Sequence, residues 1–195
     1  MPPRRSQEER TRSTRSALTT AARGLFTERG YAAVSTDEIV RAAGVTRGAL
    51  YHHYTDKQAL FRDVFEQIEG EINDEIATVF ADETDHLAAM AAGVDRFLDI
   101  CQRPDVLHIG LTDAPAVLGW ATWREIEARH GLGIITDLLT GAVAAGLIPA
   151  PASVPALSQL VLSAVIESAL MIANGAPRAA VQQALMSLLL GLVTK

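Results

Sequence analysis

The chain has 195 residues, of which 49% are hydrophobic and 21% charged, with a formal net charge of −6 and a single cysteine. This composition excludes an intrinsically disordered chain, and the length is sufficient for one or two domains with a buried core. Cys101 cannot form an intramolecular disulfide, and the first 15 residues contain no apolar run of the kind found in secretory signals. We therefore expect a cytoplasmic protein.

The charges are distributed unevenly along the chain. Residues 1–62 carry 11 Lys and Arg against 6 Asp and Glu, a net charge of +5, whereas residues 63–195 carry 6 against 17, a net charge of −11. A basic segment attached to an acidic body is typical of a protein whose N-terminal part contacts phosphates. The overall acidity is therefore no argument against nucleic-acid binding, which depends on local charge.

The N-terminal third predicts three helices and the start of a fourth. A first helix is expected over about 10–29, ending at Gly30, and Ser35-Thr36-Asp37-Glu38 fits a capping box that opens a second helix. Gly44 ends that helix, because glycine adopts a positive φ at little cost.

Thr46 is placed to cap a third helix that runs from Arg47 to about His53. Thr55-Asp56-Lys57-Gln58 fits a second capping box, which opens a helix from near Asp56 to about Phe80. Two short helices joined by a glycine-containing turn are the pattern of a helix-turn-helix.

The order of residues across this segment resembles a known family. The positions that carry the resemblance are Thr36, Ile39, Ala42, Ala43, Gly44, Val45, Thr46, Gly48, Ala49, Leu50, Tyr51, His53, Tyr54, Lys57 and Leu60. Together they are similar to the DNA-binding domain of the TetR (tetracycline-repressor) family of bacterial transcription regulators, from about Ser16 to Phe65. The departures are Val40, Thr46 and Tyr54 where the family pattern has Ala, Ser and Phe.

The resemblance and the chemistry of the side chains together predict which residues contact DNA. Arg47 has a donor fork that suits guanine or a phosphate, and the charge of Lys57 is unfavourable at a helix N-terminus unless it meets an anion. We assign Leu50 and Tyr54 to packing, and Thr46 has the alternative role of a cap only. The predicted DNA contacts are Arg4, Arg5, Thr36, Thr46, Arg47, Gly48, Ala49, Tyr51, His52, His53 and Lys57.

The remainder of the chain predicts further helices and no strands, so we expect an all-α protein. Residues 1–55 would form the N-terminal arm and helix-turn-helix domain, and residues 56–195 a helical effector-binding and dimerisation domain. Candidate breaks within that domain lie at Ala114-Pro115, at Gly131 to Gly133 and at Gly146 to Pro155. We interpret the uncharged run from 138 to 166 as helix ends around prolines, and not as a membrane span.

Helices over about 154–174 and 178–193 are apolar on nearly every side. Such helices need cover on all sides, and a four-helix bundle in a two-fold homodimer would supply it. The resemblance implies the same arrangement; the alternative is that both helices simply belong to the protomer core. The predicted interface residues are Leu160, Ser163, Glu167, Leu185, Leu188, Leu189 and Leu192.

The resemblance also implies a small-molecule pocket in the middle helices, where ligand binding moves the fourth helix and lowers operator affinity. Trp120 and Trp123 share a helix face that could line a site for an apolar or aromatic effector, or could pack against the fourth helix. Glu167, alone in an apolar run, could pair with a buried arginine or meet a cationic ligand. The candidate lining residues are Met90, Phe97, Cys101, His108, Trp120, Trp123, Glu167, Met171 and Asn174.

No motif for catalysis or for a phosphate loop occurs, and the pairs Glu127–His130 and His86–Met90 each lack a third metal ligand. We therefore expect no enzyme, cofactor, metal site or membrane partner. The expected function is that of a sequence-specific DNA-binding regulator, a homodimeric repressor released from a near-palindromic operator by a small effector. The alternatives are an effector-independent DNA-binding protein and an all-α enzyme with a DNA-binding head.

Overall fold

The computed structural model describes residues 7–81, 85–150 and 153–193, and within these ranges the chain is helical without strands. This confirms the all-α class. The predicted contacts Arg4 and Arg5 lie outside the described residues. The helices are α1 (Gln7–Arg29), α2 (Thr36–Ala43), α3 (Arg47–His53), α4 (Lys57–Ala81), α5 (His86–Ile100), a π-helical segment (Val106–Asp113), α6 (Ala114–Leu118), α7 (Trp120–Ala144), α8 (Val154–Ala173) and α9 (Arg178–Leu190).

The helix-turn-helix is built by the local signals in its sequence. The Ser35 hydroxyl accepts from the Glu38 backbone N–H at 3.3 Å, and Glu38 Oε2 accepts from the Ser35 backbone N–H at 2.9 Å, so the first capping box is present. Hydrogen bonds from Ser35 and Arg29 lower the pKa of Glu38 to about 2. Gly44 has a φ of +65° and ends α2 as expected.

The cap of α4 differs from the second predicted capping box. Asp56 Oδ1 accepts from the Ala59 backbone N–H at 2.7 Å, so Asp56 is the capping side chain, and Thr55 instead donates to Asp56 at 3.5 Å. An aspartate at this position also places a negative charge at the positive end of the helix. The start and end of α4 nevertheless agree with the prediction.

The body departs from the sequence prediction at two of its expected breaks. Pro115 does not interrupt the chain, because the π-helical segment runs directly into α6 and Pro115 lies in the first turn of that helix. Helix α7 continues through Gly131 and Gly133 without a break. A Cβ on Gly131 would lie 3.2 Å from Leu162 Cδ1, so this glycine allows the close approach of α8.

One hydrophobic core extends from the helix-turn-helix into the body, and α4 lies along it. Phe61 and Phe65 of α4 are fully buried, and Phe61 packs edge-on against Phe26 of α1 with ring centroids 5.4 Å apart. Helix α4 therefore belongs to the packing of both halves of the chain.

Helix α8 is unbroken over 20 residues and, by length and composition alone, is apolar enough to cross a membrane. One side of α8 packs on the protomer core through Leu162, Val165, Ile166 and Ala169. A core helix of a globular protein passes the same test of length and composition.

Candidate nucleic-acid interface and ligand cavity

Helix α3, which is predicted to be the recognition helix of the helix-turn-helix, presents a polar surface with one exposed arginine. Arg47 Nη1 lies 3.0 Å from Asp37 Oδ1 of α2, and its guanidinium carbon lies 5.6 Å from the centre of the Tyr51 ring. Both partners of this ion pair are exposed, so the pair is weak and the arginine is free to exchange Asp37 for another acceptor. Tyr51 is also exposed, with its ring held beside the guanidinium.

The start of α3 is tightly specified. Thr46 Oγ1 accepts from the Ala49 backbone N–H at 3.2 Å, which is the capping role that the sequence allows. Gly48 is exposed, and a Cβ there would meet only Thr46 Oγ1, at 3.9 Å. Ala49 is half-buried beside it. Because Gly48 and Ala49 have small side chains, a partner could approach the backbone of the first turn of α3 closely.

Lys57 has acceptors within the protein. Its Nζ donates to the backbone oxygens of Tyr31 at 2.8 Å and of Val34 at 2.7 Å, and it lies 3.9 Å from the centre of the Tyr31 ring. Partial burial lowers its pKa. Two hydrogen bonds from Lys57 therefore connect the segment between α1 and α2 to the first turn of α4. The third N–H of Lys57 remains available to donate to a phosphate.

A three-residue cluster fixes the end of α3. Tyr54 is buried, as expected for a packing residue, and its hydroxyl donates to Asp63 of α4. Arg15 of α1 donates to both oxygens of the same carboxylate, at 3.0 and 2.7 Å. These hydrogen bonds keep the pKa of Asp63 below its ordinary value despite burial, which opposes them.

The remaining predicted contacts are two histidines at the end of α3 and a threonine at the start of α2. His52 is exposed and His53 half-buried, with ring centroids 5.3 Å apart. Burial, His52 and Arg15 lower the pKa of His53, so it is mostly neutral near pH 7. Thr36 lies half-buried in the first turn of α2.

Four polar contacts join the helix-turn-helix domain and the start of α4 to residues 105–117 of the body. Arg23 of α1 donates to Asp105 at 2.6 Å, and it also binds Glu71 of α4 at 2.7 Å. The Tyr31 backbone N–H donates to Asp113 Oδ2 at 2.7 Å. The two further contacts join His108 Nδ1 to the Thr27 carbonyl at 2.7 Å and the Gln58 amide to the Val117 carbonyl.

The body contains a cavity of about 170 Å³ between α4, α5, the π-helical segment, α7, α8 and the end of the chain. Most of its lining is apolar. Of the predicted ligand residues, Met90, Phe97 and Cys101 line this cavity. Among the predicted interface residues, Leu189 and Leu192 line it as well.

Two acidic residues that the sequence analysis did not select as ligand contacts also line the cavity. Glu69 of α4 and Glu127 of α7 both have raised pKa values, of about 8 and about 7. Burial is the main cause in each case, and the charge of Glu127 adds to the effect on Glu69. Glu69 interrupts the apolar face formed by Phe65, Ile68 and Ile72, and this interruption was the available signal.

The other six predicted ligand residues lie outside the cavity lining. Trp120 is 65% exposed, and its ring centroid lies 4.9 Å from that of the buried Trp123. The Arg124 guanidinium lies over both indoles, at 5.1 and 5.6 Å. His108 faces α1, and the remaining three, Glu167, Met171 and Asn174, are exposed on α8 or at its end.

The predicted dimer residues divide into two groups. Leu160 on α8 and Leu188 on α9 are 67% and 61% exposed, and Glu167 on α8 is also exposed. Leu185 and Leu189 are instead buried within their own protomer, which removes them from any face open to a partner. Ser163 accepts a hydrogen bond from Arg124 at 2.8 Å within the protomer.

Comparison with known proteins agrees with this architecture. Residues 18–64 match the model for bacterial regulatory proteins of the tetR family, and residues 87–194 match that for the tetracyclin repressor-like C-terminal domain. The chain belongs to the TetR family.

Related proteins match over different lengths. The TetC protein of transposon Tn10 from Escherichia coli is 31% identical over 69% of this chain and 68% of its own length. The regulator AcrR from Shigella flexneri is 39% identical over 36% of this chain and 33% of its own length. A solved TetR-family regulator from Pectobacterium atrosepticum superposes with a TM-score of 0.81 and 33% identity, covering 98% of this chain and 99% of its own. TetR-family proteins are DNA-binding transcriptional regulators, and no group of three or more potential metal ligands occurs among the residues that the structure describes.

Proposed function

We propose that this TetR-family protein is a sequence-specific repressor that binds a near-palindromic operator as a homodimer and is released by a small-molecule effector. The observation that carries the proposal is the course of α4. This helix begins at Lys57, beside the recognition helix, and its later turns from Glu69 to Phe80 line the cavity. A ligand that prefers one position of α4 would therefore change the placement of the helix-turn-helix.

The proposed DNA interface divides into base-reading and phosphate-binding parts. Arg47 would exchange Asp37 for a guanine edge, because its fork can donate to O6 and N7 together. Thr36, Tyr51, His53 and the third N–H of Lys57 would bind phosphates. The surface that enters the major groove would be formed by the remaining residues of α3 and its cap, which are Thr46, Gly48, Ala49 and His52. Arg4 and Arg5 would reach the DNA backbone or the minor groove.

The proposed dimer would form through the exposed sides of α8 and α9. Leu160, Met171 and Leu188 are large apolar side chains left open to solvent on these two helices. Two copies facing each other would cover them in a four-helix bundle, and the two-fold axis would place one recognition helix in each half-site. The proposal involves no catalytic step and no cofactor, and it places the protein in the cytoplasm.

The first test is a gel-shift of the purified protein on the DNA that flanks its own gene, with random DNA as competitor. A discrete complex that resists competition supports the proposal. Arg47→Ala should weaken operator binding and relax the sequence preference, whereas Lys57→Ala should weaken binding to every sequence and reduce the salt slope by about 0.9.

The control for both variants is Arg129→Ala, which removes a positive charge from α7 in the body and should leave both quantities unchanged. An equal loss on operator and random DNA for the Arg47 and Lys57 variants would reject the division of roles. A Lys57 variant with weaker binding but an unchanged salt slope would assign that lysine to holding the α1–α2 connection alone.

The second candidate is an effector-independent DNA-binding protein of the same fold. The observation in its favour is the modest size of the cavity, which is about 170 Å³. Trp123 lies next in sequence to Arg124, which pairs with the cavity residue Glu127 at 3.2 Å, so a bound ligand should change indole fluorescence. Fluorescence that stays constant across a broad panel of compounds, with operator binding unaffected by all of them, would favour the second candidate.

A further inference from the structure

Glu69 is a half-buried carboxyl group that lines the cavity. It lies on the face of α4 that also carries the buried Phe65, Ile68 and Ile72. No hydrogen bond or ion pair to its oxygens occurs among the described residues. Because the group is partly withdrawn from water, its ionised form is costly unless a positive charge meets it there.

A second carboxyl group faces the same space. Glu127 of α7 is buried, and Arg124 reaches its Oε2 at 3.2 Å. Glu69, Glu127 and Cys101 all line this cavity. The charge of Glu127 adds to the raised pKa of Glu69, and burial together with Glu69 raises the pKa of the Cys101 thiol. Two acids and one protonated thiol therefore line the cavity, and Arg124, which pairs with Glu127, lies outside the lining.

The remaining titratable groups that line the cavity are His86 of α5 and His130 of α7. The lining residues from the π-helical segment, α8 and the chain beyond it are all apolar or glycine, among them Val106, Leu162 and Leu189. Arg103 is not part of the lining, but its positive charge opposes the rise in the pKa of the Cys101 thiol. Among the described residues, the only carboxyl groups of the lining are thus Glu69 of α4 and Glu127 of α7.

These features discriminate between classes of ligand. An anion would face two carboxyl groups, and a purely apolar molecule would leave Glu69 unpaired inside a drier site. A single cationic group would satisfy both acids, while the apolar wall would bury the rest of the molecule.

We propose that the effector of this protein is a small lipophilic amine, bound as its ammonium form by Glu69 and Glu127. This deepens the proposed function and rests on it, because it assigns the chemical class of the effector. The hydrocarbon part would lie against Ile72, Ile76 and Phe80 of α4, so that occupancy acts directly on the helix that leads to the DNA-binding domain.

The cavity limits the size of this amine. An apolar cavity of about 150 Å³ holds one benzene molecule, and this one has about 170 Å³. The expected effector therefore has one aromatic ring or one short alkyl chain in addition to its amino group. 2-Phenylethylamine and n-heptylamine are suitable probes, and 2-phenylethanol is a neutral control of the same shape.

Binding of an amine should release a proton. With a pKa of about 8, Glu69 is mostly protonated at pH 7 in the free protein, and an ammonium group stabilises its carboxylate form. The ionisation of Glu69 alone should raise the affinity up to tenfold per pH unit between pH 6 and 8, and the rise should be steeper below pH 7, where Glu127 also releases a proton. The affinity should level off above that range, until the amine itself loses its proton near pH 10.

The experiment is calorimetric titration of the full chain with both amines and with 2-phenylethanol, at pH 6, 7 and 8 and in two buffers of different ionisation enthalpy. Glu69→Gln should weaken amine binding at least tenfold at pH 8 and abolish the part of the pH dependence due to Glu69. Glutamine has the shape of the protonated glutamic acid, so the variant should fold normally. Glu125→Gln, on the same helix as Glu127 but exposed, is the matched control and should behave as the unmodified protein.

Binding that is equal for amine and alcohol, or that survives Glu69→Gln without loss, would overturn the inference, and so would failure of both amines to bind. The gel-shift separates these results from the proposed function. An operator complex released by some other compound would leave the repressor proposal intact without the amine. An amine that binds through Glu69 but does not release the operator complex would support the inference on binding and contradict release by the effector.

Discussion

Tyr54→Phe is expected to destabilise the protein by about 2 kcal/mol and to weaken operator binding. The substitution removes only the hydroxyl that donates to Asp63, since the ring of phenylalanine fills the same buried space. Hydrogen bonds to charged groups contribute about 1.5–3 kcal/mol. Asp63 keeps both bonds from Arg15, so the loss should fall in the lower half of this range, equivalent to about a 30-fold change in the unfolding equilibrium constant.

The effect should depend on pH in a defined direction. The folded-state pKa of Asp63 lies below its ordinary value, so its ionised form contributes stability that is present above pH about 4 and is lost as the pH falls through the folded-state pKa. The hydroxyl of Tyr54 donates to this ionised form. The difference between the parent protein and Tyr54→Phe should therefore be constant from pH 5 to 8 and should shrink below pH 4.

The assay is urea denaturation at a fixed protomer concentration, because dimerisation would make the midpoint depend on concentration. A double-mutant cycle with Asp63→Asn isolates the contact. The effect of Tyr54→Phe should fall below about 1 kcal/mol in the Asp63→Asn background, because a neutral amide is the weaker acceptor. A full 2 kcal/mol loss in that background, or a loss under 0.5 kcal/mol in the parent, would refute the assigned role of the Tyr54 hydroxyl.

Three further outcomes are expected. Gly44→Ala should lower the free energy of unfolding by about 1 kcal/mol in urea denaturation, because a φ of +65° is unfavourable for alanine although nothing lies within 4 Å of the added Cβ. Gly48→Ala should leave the free energy of unfolding unchanged and should weaken DNA binding in the gel-shift. Cys101 is buried and its pKa is raised, so at pH 8 a thiol reagent should label the folded protein on the order of 100-fold more slowly than the urea-unfolded protein, and fast labelling would contradict the burial. Leu188→Glu should shift the mass measured by light scattering from about twice 20.9 kDa to 20.9 kDa, whereas Trp120→Glu, at an exposed apolar residue outside α8 and α9, should not.

The sequence predicted the helix-turn-helix well because its determinants are local. The capping box at Ser35, the positive φ of Gly44 and the cap at Thr46 each depend on residues within a few positions of one another. The all-α class followed from periodicity alone. The internal partners of Lys57 could not be predicted in this way, since its acceptors at Tyr31 and Val34 lie more than 20 positions away and meet it only in the folded chain.

The lining of the cavity could not be predicted from the helical periodicity of the sequence. Trp120 and Trp123 do share a helix face, but spacing does not reveal what opposes that face, and the structure places it outside the cavity. Helix α9 is apolar on nearly every side, so the sequence could not tell that Leu185 and Leu189 face the protomer core while Leu188 faces solvent. Glu69 is the position that the sequence pattern does mark, as a charge within an apolar face of α4, although it was not predicted as a ligand contact.

The contacts between residues 105–117 and the DNA-binding domain restrict how this protein could be re-engineered. Grafting a foreign head in place of residues 7–56 would remove the Arg23 side chain that binds Asp105, whereas the Tyr31 N–H and the Thr27 carbonyl are backbone groups that a head of the same fold would supply again. A chimera that keeps the native 105–117 segment would thus leave Asp105 without its arginine, unless the new head carries a basic residue at position 23. Transfer of operator specificity should therefore depend on matching this one residue to a segment that lies about 50 residues beyond the head along the chain.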